Sequence, residues 1–428
     1  MALTVMLLVL LFLFIINVPI AFAMIVSTVV YFLFTDSFTV TVVIQRMIGG
    51  LESVPLLAIV FFITAGILMN YTGITSRMLK FAAVITRPLP GSLAQVNVVL
   101  STLMGGLSGS NIADSAMQAK ILVPEMEKKG YSKAFGTALT ASTALITPII
   151  PPGIALIMYG YVGNVSIGKL FMAGILPGIS LCLLFMIYVH FYAKKHNLET
   201  DNREKINMKD FLYTFKDAIL ALLLPLIIIG GIRFGIFSAT EAGAIAVLYA
   251  LILGLVVYRE MKIKQLMQAL LETAHTAASI LIIIAAGSAF GWVLTLEQVP
   301  QKMTELMVSN ISTPILFFIV VLFFLLIVGM FVEGNVSIII LTPLFIPMLA
   351  QYGIDPVHFG IFFIICLSIG TLTPPLGTIM FATCAITGTK IEAFVKESWP
   401  FLLLLVGAAL LIAFVPVISM WLPTTLFK

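Results

Sequence analysis

Charged residues are scarce in this sequence of 428 residues: 10% are Asp, Glu, Lys or Arg, whereas 61% are hydrophobic. The mean hydropathy is +1.16, so the chain has too little polar material to cover a water-soluble domain. Its basic residues are scattered among short polar segments, which excludes the basic face of a nucleic-acid-binding module. These shortages predict that lipid is the solvent for most of the chain.

Cysteine is also rare. The three cysteines, Cys182, Cys366 and Cys384, lie in apolar segments without paired spacing, so we expect neither a disulfide framework nor a metal cluster. The first apolar run lacks the basic start of a signal peptide and is too long for its hydrophobic region. It predicts a retained span over residues 1–31.

Long uncharged runs recur along the chain, each able to supply about 20 helical residues across roughly 30 Å of hydrocarbon. Strands of an outer-membrane barrel would alternate apolar and polar residues, and stretches such as 220–230 do not. The sequence therefore predicts an all-α polytopic membrane protein.

An internal repeat appears when the sequence is shifted by about 223 residues. Residues 109–111 then fall on 333–335, Pro124 falls on Pro347, and the break at 147–153 falls on 371–377 with one residue of slippage. An ordered series of matches at one offset predicts two related halves.

The charge-rich stretch 194–216 separates these halves and is expected to be a cytoplasmic linker. The first repeat would occupy residues 1–193. Residues 217–428 would hold an extra span at 218–236 and then the second repeat, and this extra span would invert the second repeat relative to the first.

The distribution of basic residues between the two sides of the membrane supports this topology. With a cytoplasmic N-terminus, 17 of the 23 Lys and Arg residues, Arg203 and Lys205 among them, face the cytoplasm. Five, including Lys428, face outward, and Lys120 stays at membrane depth.

This topology also requires two re-entrant hairpins, which enter the membrane and return to the same side, at 95–129 and 314–351. Their tips are glycine-rich or acidic. Each is followed by a helix broken at proline, at 134–161 and 359–387. Non-helical backbone at membrane depth is tolerated only in protein or beside a wet cavity, so both tips and both breaks are expected to point at one site.

Carbonyl groups released by these breaks, with nearby hydroxyls, suit a small hard cation, and we expect one sodium site in each repeat. The predicted sodium-binding residues are Gly106, Ser110, Asn111, Thr147, Pro148, Gly329, Gly334, Asn335, Thr371 and Thr373.

Helices that restart after the tips and breaks turn their N-terminal N–H groups toward the same centre, which favours an anion. A carboxylate substrate is therefore expected beside the cations, at Asn111, Pro152, Gly153, Asn335, Pro375 and Gly377. Asp114 and Glu333 are candidates for a coupling role because ionisable groups are costly within a membrane.

Four motifs, GGLSGSNIADSA, TPIIPPG, ATEAGAIA and TPPLGT, occur in this order, and together they resemble the large membrane subunit of TRAP transporters over nearly the full chain. The resemblance implies an elevator-type fold like that of the ion transporter superfamily, in the inner membrane of a bacterium. It also implies a separate four-helix membrane subunit and a periplasmic substrate-binding protein as partners. Family members import carboxylates with sodium, and overall similarity favours sialic acid as the substrate.

Several alternatives remain open from the residues alone. A glycine-rich stretch in a membrane helix is often only a packing surface, and re-entrant hairpins also line channels. A C4-dicarboxylate or another organic acid is an alternative substrate, and a proton carrier using Asp114 or Glu333 is the nearest rival. Enzymatic activity is not expected, because the polar residues of the sequence do not form a recognisable pair of catalytic nucleophile and general base.

Overall fold

A computed structural model describes residues 1–35, 40–199 and 206–427 of the chain. Arg203, Lys205 and Lys428, which entered the charge count, lie outside the described residues. Within the described ranges all regular secondary structure is helical.

The described part of the first half contains ten α-helices. They are α1 (Ala2–Ile15), α2 (Ile20–Leu33), α3 (Thr41–Gly49), α4 (Val54–Tyr71), α5 (Ile74–Thr86), α6 (Ser92–Ser108), α7 (Asn111–Lys128), α8 (Lys133–Thr143), α9 (Ile154–Val162) and α10 (Ile167–Lys195).

Residues 206–427 of the second half contain ten more α-helices. They are α11 (Met208–Arg233), α12 (Ala239–Leu251), α13 (Ile263–Leu296), α14 (Val299–Asn310), α15 (Pro314–Phe331), α16 (Gly334–Gln351), α17 (Pro356–Leu372), α18 (Thr378–Thr387), α19 (Ile391–Phe414) and α20 (Val417–Leu426).

Eight of the described helices are long and apolar enough to cross a membrane. Large apolar side chains such as Phe323, Leu403 and Trp421 are exposed on the molecule's outside, where a soluble protein would carry charge. The chain is therefore a multi-pass membrane protein, as its composition predicts.

Both predicted hairpins are present. The first consists of α6 and α7, joined at Gly109 and Ser110, and the second consists of α15 and α16, joined at Val332 and Glu333. Glycine at position 109 permits the left-handed turn, with φ 62°. The helices α7 and α16 are both 18 residues long and begin 223 residues apart, at 111 and 334, which matches the repeat offset.

The two proline-broken helices are also present. A short 3-10 turn and residues 147–153 separate α8 from α9, and residues 373–377 separate α17 from α18. The Pro-Pro pairs of both breaks have the cis conformation.

The N-terminal region differs from the sequence prediction of one span over residues 1–31. It forms two 14-residue helices, α1 and α2, which pack along each other as an antiparallel hairpin. Asn17 between them is left-handed, with φ 62°, and Pro19 lacks the N–H that would continue α1. The hairpin returns the chain to the side on which it began.

The same finding gives α11 a counterpart, whereas the sequence predicted an extra span at 218–236. At the repeat offset α1 aligns with the second half of α11, and α2 aligns with α12. In the fold α2 packs against α13 and α12 packs against α4, so each half's second helix contacts the long helix of the other half.

The helices that precede the hairpin of each half are α1–α5 and α11–α14, here called the scaffold. They contact the remaining helices mainly through α5 with α6 and α14 with α16. These remaining helices, here called the transport group, are α6–α10 and α15–α20, and they contain both hairpins and both broken helices. Arg77 of α5 ties the scaffold together through ion pairs with Asp217 of α11 at 3.1 Å and Glu260 at 2.8 Å.

Candidate functional site

Four interrupted elements meet at one cavity of about 330 Å³, here called the central cavity. The helices α7, α9, α16 and α18 all begin there. Their first residues, Asn111, Ile154, Gly334 and Thr378, each line its wall. The two tips and the two breaks of the repeats therefore face a shared hollow.

Close backbone contacts hold α6 against the first break and α15 against α17. A methyl group on Gly106 would lie 3.1 Å from the Pro151 carbonyl oxygen, and one on Gly329 would lie 2.7 Å from that of Leu367. Position 329 therefore requires glycine, because a larger residue would separate the two backbones, and position 106 leaves little room for a side chain.

The breaks themselves concentrate carbonyl oxygens. A methyl group on Gly153 would lie 2.3 Å from the Pro148 carbonyl oxygen. One on Gly377 would lie 2.6 Å from the Thr371 carbonyl oxygen and 2.8 Å from that of Thr373. Each break is thus a compact loop with carbonyl oxygens close to its glycine, and Pro148 and Thr371 of the two loops line the central cavity.

The helix N-termini at the cavity are unequally capped. In α7 the N–H of Ile112 donates to the Asn111 side chain at 2.9 Å, and the N–H of Ala113 donates to Ser110 at 3.4 Å. No side chain caps the first turns of α9, α16 or α18 among the described residues. Three N-termini therefore present uncompensated N–H groups toward the cavity.

Glu333 is the one charged residue among the described residues that line this cavity. Its carboxylate accepts a hydrogen bond from the Asn335 amide at 2.9 Å. It stands immediately before α16, where the helix dipole stabilises a negative charge. The cavity therefore offers N–H donors on several sides and one acceptor carboxylate on another.

Two hydroxyl groups near the second tip and break have no hydrogen-bond partner among the described residues. They are Ser337 Oγ, in a residue only 1% exposed, and Thr378 Oγ1, whose residue lines the cavity. Buried hydroxyls usually find a partner, so these two oxygens are available to a ligand.

Asp114 lies behind the first tip and is 1% exposed. The Thr147 hydroxyl donates to it at 2.5 Å, which joins α7 to the first break. Asp114 lines a second cavity of about 630 Å³, together with Tyr71, Glu260 and Gln265. This second cavity separates α7 from α4 and α5.

The structure brings seven of the predicted residues into the wall of the central cavity: Ser110, Asn111, Pro148, Glu333, Gly334, Asn335 and Thr371. Eight others lie in the tips and breaks without lining it: Gly106, Thr147, Pro152, Gly153, Gly329, Thr373, Pro375 and Gly377. The hydroxyls of Thr371 and Thr373 donate to carbonyls of the preceding turn, at 2.6 and 2.8 Å.

Sequence reasoning missed four polar residues of the wall: Thr276, Ser279, Ser368 and Thr378. The first two lie on α13, and their spacing of three residues in an apolar helix was the available signal. Thr378 follows Gly377 directly and begins α18.

Comparison with known proteins places these features in a family. The profile described as "Tripartite ATP-independent periplasmic transporter, DctM component" matches residues 5–418. The 2,3-diketo-L-gulonate TRAP transporter large permease protein YiaN of Escherichia coli is 36% identical, over 94% of each chain. The sialic acid TRAP transporter large permease protein SiaM of Vibrio cholerae is 35% identical, over 95% of each chain.

The fold also has a solved relative. The crystal structure of the Alcanivorax borkumensis YdaH transporter, described as having an unusual topology, superposes with a TM-score of 0.65 at 15% identity. The superposition covers 90% of this chain and 89% of the YdaH chain.

Proposed function

Since this chain belongs to the DctM component family of tripartite ATP-independent periplasmic transporters, we propose that it drives sodium-coupled import of an anionic carboxylate. It is a transport protein of the large permease type and not an enzyme. Beyond this membership, we propose a coupling ion, a substrate class and a transport motion.

The convergence of four helix N-termini on the central cavity carries the proposal. Their partial positive charges attract an anion at membrane depth without a basic side chain. Among the described residues that line the cavity there is no Lys or Arg, so these N-termini are its source of positive potential. A carboxylate placed between Asn111 and Thr378 would satisfy donors of both repeats.

Glu333 limits which class of carboxylate substrate the central cavity can accept. A second carboxylate on the substrate would meet this side chain inside a space of about 330 Å³, and two negative charges at close range repel strongly. Hydroxyl groups would instead donate to it. We therefore favour a monocarboxylate with several hydroxyls over a C4-dicarboxylate. Sialic acid, named for the Vibrio cholerae relative, and the gulonate derivative named for the Escherichia coli relative both meet this description.

Sodium is supported by the donors at the two breaks. Carbonyl and hydroxyl oxygens suit a hard cation, and unwound backbone carbonyls bind sodium in transporters built from inverted repeats. The carbonyls of Pro148 and Thr371 and the unpartnered hydroxyl of Ser337 supply such oxygens, so we propose at least two ions, one in each repeat.

The division into two helix groups supports an elevator motion. The transport group would carry the central cavity along α4 and α13 of the scaffold, and one side of the membrane would gain access at a time. The Tyr161 hydroxyl, in the transport group, donates to the Gly50 carbonyl of the scaffold at 2.8 Å, a contact that this motion would break.

Membership in the family implies a small membrane subunit and a periplasmic binding protein as partners, and a location in the bacterial inner membrane. We propose that the linker at 194–216 is cytoplasmic, because basic residues concentrate on that side. With α1 and α2 forming a hairpin, this orientation places the N-terminus on the periplasmic side, opposite to the expectation from a single span.

The direct test uses the complete complex, reconstituted in vesicles with the small subunit and the binding protein. Labelled sialic acid should accumulate under an inward sodium gradient and should not accumulate when potassium replaces sodium. Unlabelled succinate in large excess should compete poorly. Accumulation without sodium would contradict the coupling, and strong competition by succinate would contradict the substrate class.

A proton-coupled carrier is the second candidate, favoured by the carboxyl groups of Asp114 and Glu333 beside the first break and in the central cavity. It predicts uptake under a proton gradient alone in the same vesicles. A channel predicts single-channel currents and uptake that does not saturate.

A further inference from the structure

The scaffold helix α13 contributes two hydroxyl residues to the wall of the central cavity. Thr276 and Ser279 lie three residues apart near the middle of this 34-residue helix, and both are exposed toward the cavity. Glu333, Asn335 and Ser368 of the transport group line the same cavity. The cavity is therefore enclosed by polar groups from both helix groups.

The hydroxyl of Thr276 differs from those of the other threonines in α13. Thr273 and Thr295 donate to the carbonyl four residues earlier, at 2.8 and 2.9 Å, the usual arrangement for a hydroxyl in a membrane helix. Thr276 has no such bond to a described residue, whereas Ser279 donates to the His275 carbonyl at 2.9 Å and can offer a ligand only its acceptor lone pairs. A hydroxyl at membrane depth needs water or a ligand as its partner.

The repeat shows that a hydroxyl at position 279 is not needed for packing. At the offset of about 223 residues, Ser279 corresponds to Leu56 and Ile283 corresponds to Val60, whereas Thr276 corresponds to Ser53, the residue that precedes α4. Both helices are long scaffold helices that pack against each other. Of the two positions, only 279 therefore carries a hydroxyl in α13 alone, the helix that lines the central cavity.

The polar face of α13 continues away from the cavity. Glu272 precedes Thr276 by one turn and accepts a hydrogen bond from Tyr71 at 2.5 Å. Tyr71 and Gln265, two turns before Glu272, both line the second cavity. One face of α13 thus runs from the central cavity to the second cavity.

We propose that Thr276 and Ser279 are specificity-determining residues that bind substrate hydroxyls from the fixed scaffold, in the same cavity as Glu333. The inference rests on the proposed function, in which the substrate is a hydroxylated monocarboxylate. Because α13 belongs to the scaffold, these contacts form only when the transport group places the cavity beside residues 276–279. They therefore strengthen binding on one side of the membrane only.

The test compares Thr276→Val, Ser279→Ala and their combination with Thr295→Val, a matched change on the same helix outside the central cavity. Right-side-out and inside-out vesicles holding the whole complex give the KM for sialic acid in each direction. One neutral hydrogen bond lost corresponds to roughly a 2- to 10-fold weaker affinity. The double variant should raise the KM by about that factor squared in one orientation and leave the other unchanged.

The sodium dependence should be unaltered, and Thr276→Ser should restore the affinity, since it keeps the hydroxyl. An equal shift in both orientations, or none in either, would overturn the inference. Absence of sialic acid uptake by the unaltered complex would instead contradict the proposed function, so the two failures are distinguishable.

Discussion

Single glycines in the breaks determine whether the carbonyl loops can form. We predict that Gly153→Ala and Gly377→Ala each abolish sodium-dependent uptake, because the added methyl would lie 2.3 Å from the Pro148 oxygen and 2.6 Å from the Thr371 oxygen. The loops would have to open to relieve these contacts, and the sodium ligands would move. The measurement is initial uptake against sodium concentration in reconstituted vesicles.

Gly407→Ala is the matched control, since no neighbouring atom lies within 4 Å of the added methyl in the middle of α19. It should transport normally. If the variants at 153 and 377 kept the sodium affinity of the control, the breaks would not hold the ions.

Glu333 offers a second prediction for a single residue. Replacement by Gln keeps the size and removes the one charge among the described residues lining the central cavity. A hydrogen bond to a charged group is worth about 1.5–3 kcal/mol, so the KM for a hydroxylated monocarboxylate should rise roughly 10- to 100-fold. Succinate should become a better competitor because the repulsion is lost.

The control is Glu305→Gln on α14, an exposed position outside the cavity. Sialic acid affinity unchanged in Glu333→Gln would remove this residue from the binding site. Loss of proton-driven rather than sodium-driven uptake would assign it to proton coupling.

The positions of the tips and breaks could be predicted from the sequence, because glycine and proline give a strong local signal. Gly109, Pro148 and Pro375 punctuate apolar runs, so the tips and breaks were predicted close to their observed positions. Thr276 could not be assigned in the same way. A threonine in a helix usually bonds to its own backbone, and only the packing of α13 against the transport group reveals that this one faces a cavity.

Among the helices, the two repeats hold their hairpins by different chemistry. In the first repeat a buried polar network joins α6, α7 and α8: the Asn97 amide donates to Thr140 at 2.6 Å, and its oxygen accepts from Thr143 at 2.7 Å. Ser101 and Gln118 extend the network, and all five residues are fully buried. In the second repeat α15, α16 and α17 pack through Phe317, Phe318, Phe345, Phe359 and Phe363, and Phe363 stands at the position of Thr140.

This difference makes a prediction about Asn97→Leu. The substitution leaves the hydroxyls of Thr140 and Thr143 without their buried amide partner, at a cost on the order of 1–3 kcal/mol. The purified variant should unfold at a lower temperature in detergent, followed by intrinsic fluorescence. Gln301→Leu, at an exposed position of α14, should leave the transition unchanged. An unaltered transition in Asn97→Leu would show that the network adds no stability.

Helix boundaries were predictable where proline or glycine interrupts an apolar run, and less so where the interruption is short. The sequence Asn17, Val18, Pro19 contains such an interruption, yet the uncharged run around it predicted one span. Two helices of 14 residues are each about 21 Å long, shorter than an upright membrane span. Their pairing depends on contacts with α13, which local sequence does not encode.

For the whole molecule, the α1–α2 hairpin changes the reason why the repeats are inverted. The sequence explained the inversion by an extra span between otherwise equal halves. In the structure α1 and α11 correspond. We propose that each half crosses the membrane an odd number of times, with α1, α2, α4, α8 with α9, and α10 as the crossings of the first half. An odd number of crossings reverses the orientation of the second copy without any added element.

This topology makes a prediction that a single span over residues 1–31 does not share. With the linker in the cytoplasm, five crossings place the N-terminus in the periplasm, on the same side as α14. Cysteines would be introduced singly in an N-terminal extension, at Asn310 and at Lys209, after replacement of Cys182, Cys366 and Cys384 by alanine. A membrane-impermeant maleimide should label the extension and position 310 in intact spheroplasts, and position 209 only after permeabilisation. If the extension were labelled only after permeabilisation, as position 209 is, the N-terminus would lie in the cytoplasm and residues 1–31 would cross the membrane once. The correspondence of α1 with α11 would then be wrong.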